Sequence, residues 1–325
     1  MYSWGGDTSD WVTPGAYKYD SARRKYLDKL ADDARAKGPR SYRAASSPNL
    51  GLVDPRGKTI SSDSKNPIVI GVDVTGSMAE WPREIFDRLP LMYQTLSQYR
   101  DDVEICFGAI GDATCDSYPL QVNDFGKGVD LEEKLKGLFP EGGGGGQHCE
   151  TYEMFGYFMQ EHCNVPNATS PFLFIFGDEC YYDHIQPGHV KGIIGDTLQS
   201  PIDSKGMWDK LMQKFNVYML HKPYSDRGLD RDIVAAWRGA LGSQKVIEIP
   251  SMERSVDIAL GLVAKSWGHF DDFKVNLTAR HPDPKDRGSV YKSLMYIDDK
   301  PTGKSVVATG TKSKATKSLM DKSGK

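Results

Sequence analysis

Ile68-Val69-Ile70-Gly71-Val72-Asp73-Val74-Thr75-Gly76-Ser77-Met78 is the stretch on which the fold turns. A short, unbroken apolar run of this kind fits a buried strand. The loop after it then carries one acid and two hydroxyls at alternate positions, presented to a common point. Carboxylate and hydroxyl oxygens are the ligands that a hard divalent cation prefers. The same residues also suit a simpler role, because Asp followed by Thr, Gly and Ser is an ordinary helix start in which the hydroxyls cap the helix.

Outward from this stretch, strand and helix patterns alternate from Asn66 to about Phe270. Strands are expected at 68–73, 103–110, 171–176, 217–220 and 246–249, with a short edge strand at 118–122 paired to the second of them. Helices are expected at 131–138, 150–162, 207–215, 230–241 and 252–267. A further helix follows the first strand, with Ile85, Phe86, Leu89, Met92, Tyr93 and Leu96 on one face, although Pro90 should kink or break it. Ser251 suits the N-cap of the last helix. The alternation predicts an α/β fold: an open, mostly parallel, doubly wound (Rossmann-like) sheet of about six strands with helices on both faces.

Residues 1–60 are expected to form an N-terminal arm, irregular apart from a short helix around 20–36. Residues 61–272 form the domain, and 273–325 a C-terminal extension ending in a basic flexible tail. Trp4, Trp11, Tyr17 and Tyr19 are unusual in a disordered arm and predict docking on its own domain or on a neighbouring subunit, a route to self-association.

Composition narrows the function classes. The chain has 325 residues, 39% hydrophobic and 26% charged, as in a soluble globular protein. Its apolar runs are strand-length, so no membrane span is expected, and residues 1–15 lack a cationic, apolar leader; a cytoplasmic protein is the expectation. The five cysteines are odd in number and widely spaced, which predicts reduced thiols. Cys149 and Cys163 each follow a histidine, but a helix between them, rising about 1.5 Å per residue, would hold them roughly 21 Å apart, too far to share zinc. Residues 1–43 carry +3 and residues 300–325 carry +6 against a net charge of −3, so the segment between carries −12. The basic ends read as solvated tails rather than a nucleic-acid surface.

The Asp73-x-Thr75-x-Ser77 pattern matches the Asp-x-Ser/Thr-x-Ser signature of the von Willebrand factor A (VWA) domain, and much of the chain resembles that family. The resemblance implies a VWA fold with Mg²⁺ (Mn²⁺ or Ca²⁺ as alternatives) at the carboxyl ends of the strands, in a metal-ion-dependent adhesion site drawn from three loops. The first is the Asp73, Thr75, Ser77 loop. The second, Gly142-Gly143-Gly144-Gly145-Gly146-Gln147-His148-Cys149-Glu150, resembles the Gly-Gly-Gly-Asp-x-Pro-Glu loop of an intracellular VWA subgroup that includes domains attached to some alpha-kinases. Most VWA domains supply a threonine to the metal here, and that subgroup an aspartate. Gln147 occupies the aligned place and departs from both; Thr151 is the alternative if the extra glycines shift the register. The third loop offers Asp178, directly after Phe172-Leu173-Phe174-Ile175-Phe176-Gly177. Asp112, closing Phe107-Gly108-Ala109-Ile110-Gly111-Asp112, matches an aspartate of the same subgroup and would orient a water or a ligand hydroxyl.

What the resemblance implies is binding. Asp73 and Asp178 would hold the ion largely through water, Thr75 and Ser77 would coordinate it directly, and an acidic side chain of a protein partner would complete the shell. Intracellular VWA proteins of this kind act with AAA+ ATPases of the MoxR or chelatase type, so an adaptor role is expected. The alternative is a structural or assembly component of a phage or other large particle, held by its N-terminal arm and basic tail. The residues carry no Gly-x-Ser-x-Gly elbow, no His-Glu-x-x-His pair and no Asp-x-Asp start, so no enzyme is expected. Mg²⁺-dependent phosphoester hydrolysis is the one catalytic chemistry such acids would allow.

Overall fold

A computed structural model describes residues 41–143, 148–224 and 226–297 of the chain, with the side chain of Ser77 outside the description. The arm's expected helix at 20–36, Gln147 and the basic tail also lie outside it. The core is a six-stranded sheet made of β1 (Asn66–Asp73), β2 (Val103–Ile110), β3 (Leu120–Val122), β4 (Phe172–Gly177), β5 (Asn216–His221) and β6 (Val246–Glu248), in the order β6-β5-β4-β1-β2-β3. All pairings are parallel except β2 with β3. The parallel strands are apolar along nearly their whole length because both faces are covered.

Alternate residues of each strand feed two separate cores. Ile68, Ile70, Val72, Phe172, Phe174 and Phe176 face α1 (Trp81–Tyr99), α2 (Asp130–Lys136) and α6 (Ser255–Trp267). Val69, Leu173, Ile175, Val217 and Met219 face α3 (Tyr152–Glu161), α4 (Ser204–Lys214) and α5 (Arg227–Leu241). Two further helices, α7 (Phe270–Arg280) and α8 (Pro284–Leu294), lie against α6, and Phe273, Leu277, Val290 and Leu294 join the first core. The packed body therefore continues beyond residue 272, with Ile297 also in its core.

Three local details depart from the sequence expectation. The helix α1 runs through Pro90 rather than ending there; Pro90 is buried together with Leu89 and Leu91, and tertiary packing outweighs the one lost backbone hydrogen bond. Glu150 belongs to a two-residue strand, Cys149–Glu150, paired in parallel with Cys180–Tyr181, so α3 starts only at Tyr152. Ser251 makes no side-chain cap, and helix α6 is preceded by a turn of 3-10 helix, Met252–Arg254.

The strand order has a functional consequence. The chain leaves β1 towards β2 on one side, and after β3 it crosses back to place β4 on the other side of β1. That reversal is the switch point of an open α/β sheet, where the loops after neighbouring strands diverge and leave a crevice. Asp73 ends β1 and Asp178 follows β4, so both acids stand at that switch point.

Candidate functional site

Three loops meet above β1 and β4, and backbone hydrogen bonds tie them together. The Gly76 N–H donates to the Gly143 carbonyl (2.7 Å) and the Gly142 N–H to the Val74 carbonyl (3.1 Å), which docks the glycine loop on the first loop. Gly76 and Gly142 have positive φ (40° and 68°), conformations that favour glycine at both contact points. The second loop is joined to the third by the Cys149–Glu150 and Cys180–Tyr181 ladder, in which the Cys180 N–H donates to the His148 carbonyl (3.1 Å).

Asp73 lies at the centre and is fully buried. Its Oδ1 accepts from the Thr75 N–H (2.9 Å) and the Thr75 hydroxyl (2.8 Å), and its Oδ2 accepts from the Tyr152 hydroxyl. Burial and the negative charge of Asp178 push Asp73 up to about 7, against the hydrogen bonds from Tyr152 and Thr75. Tyr152 is held in turn by an edge-on contact with Trp237, with ring centroids 5.5 Å apart. It also fills the space beside Gly177, where a Cβ would meet the Tyr152 hydroxyl.

Glu150 completes this inner group. Its Oε1 lies 3.0 Å from the Thr75 hydroxyl, which has one hydrogen and two carboxylate neighbours. Both contacts can be hydrogen bonds when Glu150 carries a proton, and burial followed by the charge of Asp73 pushes Glu150 up to about 10. Its second oxygen, Oε2, is buried and has no hydrogen-bond partner among the described residues. Sequence reading assigns Glu150 no role; the signal for it is its place as the acid that closes the glycine-loop pattern. Tyr152 is equally unforeseen, and nothing in its local sequence marks it.

The remaining expected site residues fall around this centre. Asp178 is 2% exposed and pairs with Lys222 Nζ at 3.2 Å. The Thr151 hydroxyl is turned away from Asp73: it donates to the Gly111 carbonyl and accepts from the Ala113 N–H (3.2 Å), bracing the loop after β2. Asp112 is fully buried, accepts from the Thr114 N–H and hydroxyl (2.9 and 2.6 Å), and meets the Tyr182 hydroxyl. Its charge helps to raise Glu150, Glu153 and Glu179. Beyond Asp178, Glu179 accepts from the Tyr224 hydroxyl (2.8 Å), while its backbone carbonyl accepts from Trp237 Nε1 (2.9 Å).

Direct contact thus joins Asp73, Thr75 and Glu150, while Asp178 acts on Asp73 through its charge. Gln147 and the Ser77 side chain lie outside the described residues. Among the described residues, no group of three or more His, Cys, Asp and Glu side chains is arranged to hold a metal by itself. The donors that do converge are all oxygen, carboxylate and hydroxyl together, a set whose chemistry suits a hard divalent ion rather than a soft one.

The molecule so described is a mixed α/β domain with a cluster of buried polar side chains at the carboxyl ends of a mostly parallel sheet. No protein-family model matches the chain, and no curated protein matches it. Among solved structures it is similar to the pilus adhesin SpaC from Lactobacillus rhamnosus GG in its open conformation, with 12% identity, a TM-score of 0.43, and coverage of 67% of this chain and 31% of that one. It is also similar to proximal thread matrix protein 1 (PTMP1) from the mussel byssus, with 11% identity, a TM-score of 0.44, and coverage of 65% of this chain and 49% of that one. The chain therefore spans about a third of the adhesin and about half of the byssus protein. No helix among the described residues is long and apolar enough to cross a membrane.

Proposed function

We propose that the chain is a VWA-type protein of the cytoplasm whose adhesion site holds Mg²⁺, with Mn²⁺ or Ca²⁺ as alternatives, and captures a protein partner through that ion. The observation that carries this reading is Glu150 Oε2, a buried carboxylate oxygen without a partner among the described residues, set beside Asp73 and Thr75. A buried acid next to another acid is costly unless a cation joins them.

Asp73, Glu150 and Asp178 would hold the ion together with the hydroxyls of Thr75 and Ser77, and Gln147 is the further candidate from the second loop. When bound, the ion supplies a Lewis-acid centre to which an acidic side chain of the partner is drawn. The three carboxylates are offset by a divalent ion and the nearby Lys222 ammonium, so the filled site is near neutrality. Family resemblance supports an AAA+ ATPase of the MoxR or chelatase kind as the partner, with this chain as its adaptor.

Thermal melting tests the metal. Mg²⁺ at a hundredfold excess over its Kd stabilises the folded chain by about 2.7 kcal/mol if it binds only that state. The expected result is a rise in Tm with Mg²⁺ that chelator reverses and that Asp73→Ala and Glu150→Gln abolish. A wild-type melt unmoved by millimolar Mg²⁺, Mn²⁺ and Ca²⁺ would sink the reading. Partner capture that persists in chelator and in Asp73→Ala would instead favour the particle-assembly role, held by the arm and the basic tail.

A further inference from the structure

Cys149 and Cys180 are partners in the short ladder that joins the second loop to the third. Neighbouring strands lie about 4.8 Å apart. That spacing falls within the Cα separation of about 4.4–6.8 Å that a disulfide requires, and residues in register present their side chains on the same face. Both cysteines are partly exposed, whereas Cys106 and Cys163 are buried and Cys115 lies on a different loop.

We propose that Cys149 and Cys180 form a reversible disulfide that staples the second loop to the third. The oxidant is a small-molecule disulfide. The Cys180 thiolate attacks one of its sulfurs, forming a mixed disulfide and expelling one thiolate. The Cys149 thiolate then attacks Cys180 Sγ and expels the second small thiolate. The two protons released by the cysteines end on the two departing thiolates; the protein loses two electrons and the small disulfide gains them. The new bond joins the residue just before Glu150 to one two positions past Asp178, and it limits how far those loops can part. The proposal does not require that a metal binds.

The test uses the full-length, reduced protein under native conditions with oxidised glutathione as the probe, followed by maleimide blocking, digestion and mass spectrometry. The expected product is a cross-linked peptide pair containing Cys149 and Cys180, lighter by two hydrogens and restored by dithiothreitol. In Cys149→Ser, glutathione should stay attached to Cys180 as a stable mixed disulfide. Separate glutathione or maleimide adducts on Cys149 and Cys180 in the wild type would overturn the proposal. So would a cross-link to Cys115 or between two chains.

Discussion

Glu150 and Glu153 stand three positions apart, yet they answer to different neighbours. Both are buried, but Glu150 meets the Thr75 hydroxyl (3.0 Å), whereas the Glu153 carboxylate accepts from the Tyr182 N–H (3.1 Å). Burial pushes Glu153 up to about 8, although the N–H groups of Tyr182 and of Glu153 itself pull it down. Since its folded value lies above its unfolded one, its contribution to stability is complete at pH below the ordinary glutamate range and is lost as pH rises through about 8. We expect Glu153→Gln, which keeps an acceptor for Tyr182, to flatten the fall of Tm between pH 5 and 8. Melting curves taken in chelator check this, and an unchanged pH slope would mean that Glu153 is not protonated in the folded chain. At this scale the sequence was only partly legible. Asp73, Thr75 and Asp178 follow strands and announce themselves, but Glu150 and Tyr152 gain their meaning from contacts with Thr75 and Asp73 more than seventy residues earlier.

Elements were more legible than contacts, because each buried strand writes an apolar run and each helix a repeat of three or four. What the runs do not tell is which side chain fills which gap. Gly71 and Gly108 are register partners on adjacent strands, and a Cβ on either would lie 2.5 Å from the Phe155 ring of α3. The two glycines together make the notch in which that ring sits. Gly71→Ala should therefore destabilise the fold by about 1–3 kcal/mol through overpacking. Phe155→Leu should offset part of that loss, so the double variant falls short of the sum of the singles by a measurable coupling in denaturant melts. Additive effects would mean that ring and glycine do not share the space. The two-residue ladder of Cys149 with Cys180 escaped sequence reading for a related reason: a strand of two residues leaves no periodicity, and its partner lies across the whole of α3.

Across the whole molecule, α6 is the element that binds the sheet to its last two helices. It is buried almost all round, against the sheet on one side and α7 and α8 on the other, and Gly261 lets Phe273 and Leu294 approach its backbone. Its one buried acid, Asp257, accepts from Arg280 Nη2 (2.9 Å), meets His281 Nε2 (2.9 Å) and lies 3.4 Å from Arg254 Nη1. Burial alone would raise the Asp257 carboxyl, but the His281 hydrogen bond and the Arg280 charge hold it below the ordinary aspartate range. Sequence reading ended the domain at 272 because α7 and α8 are short and charged, with only paired apolar positions, Phe273 with Leu277 and Val290 with Leu294, to mark an inner face. The ionic tie supplies what so small an apolar face does not. A lowered folded value means that the Asp257 contribution is fully present above the ordinary aspartate range and disappears as pH falls through the folded one. Asp257→Asn should cost about 3 kcal/mol at neutral pH, since it strips a buried partner from the Arg280 guanidinium. The cost should shrink on acidification as the wild type protonates the same carboxyl. Urea melts at pH 7 and pH 3 measure both, and a penalty that is equal at the two pH values would show that Asp257 is not an ionised tie between α6 and α7.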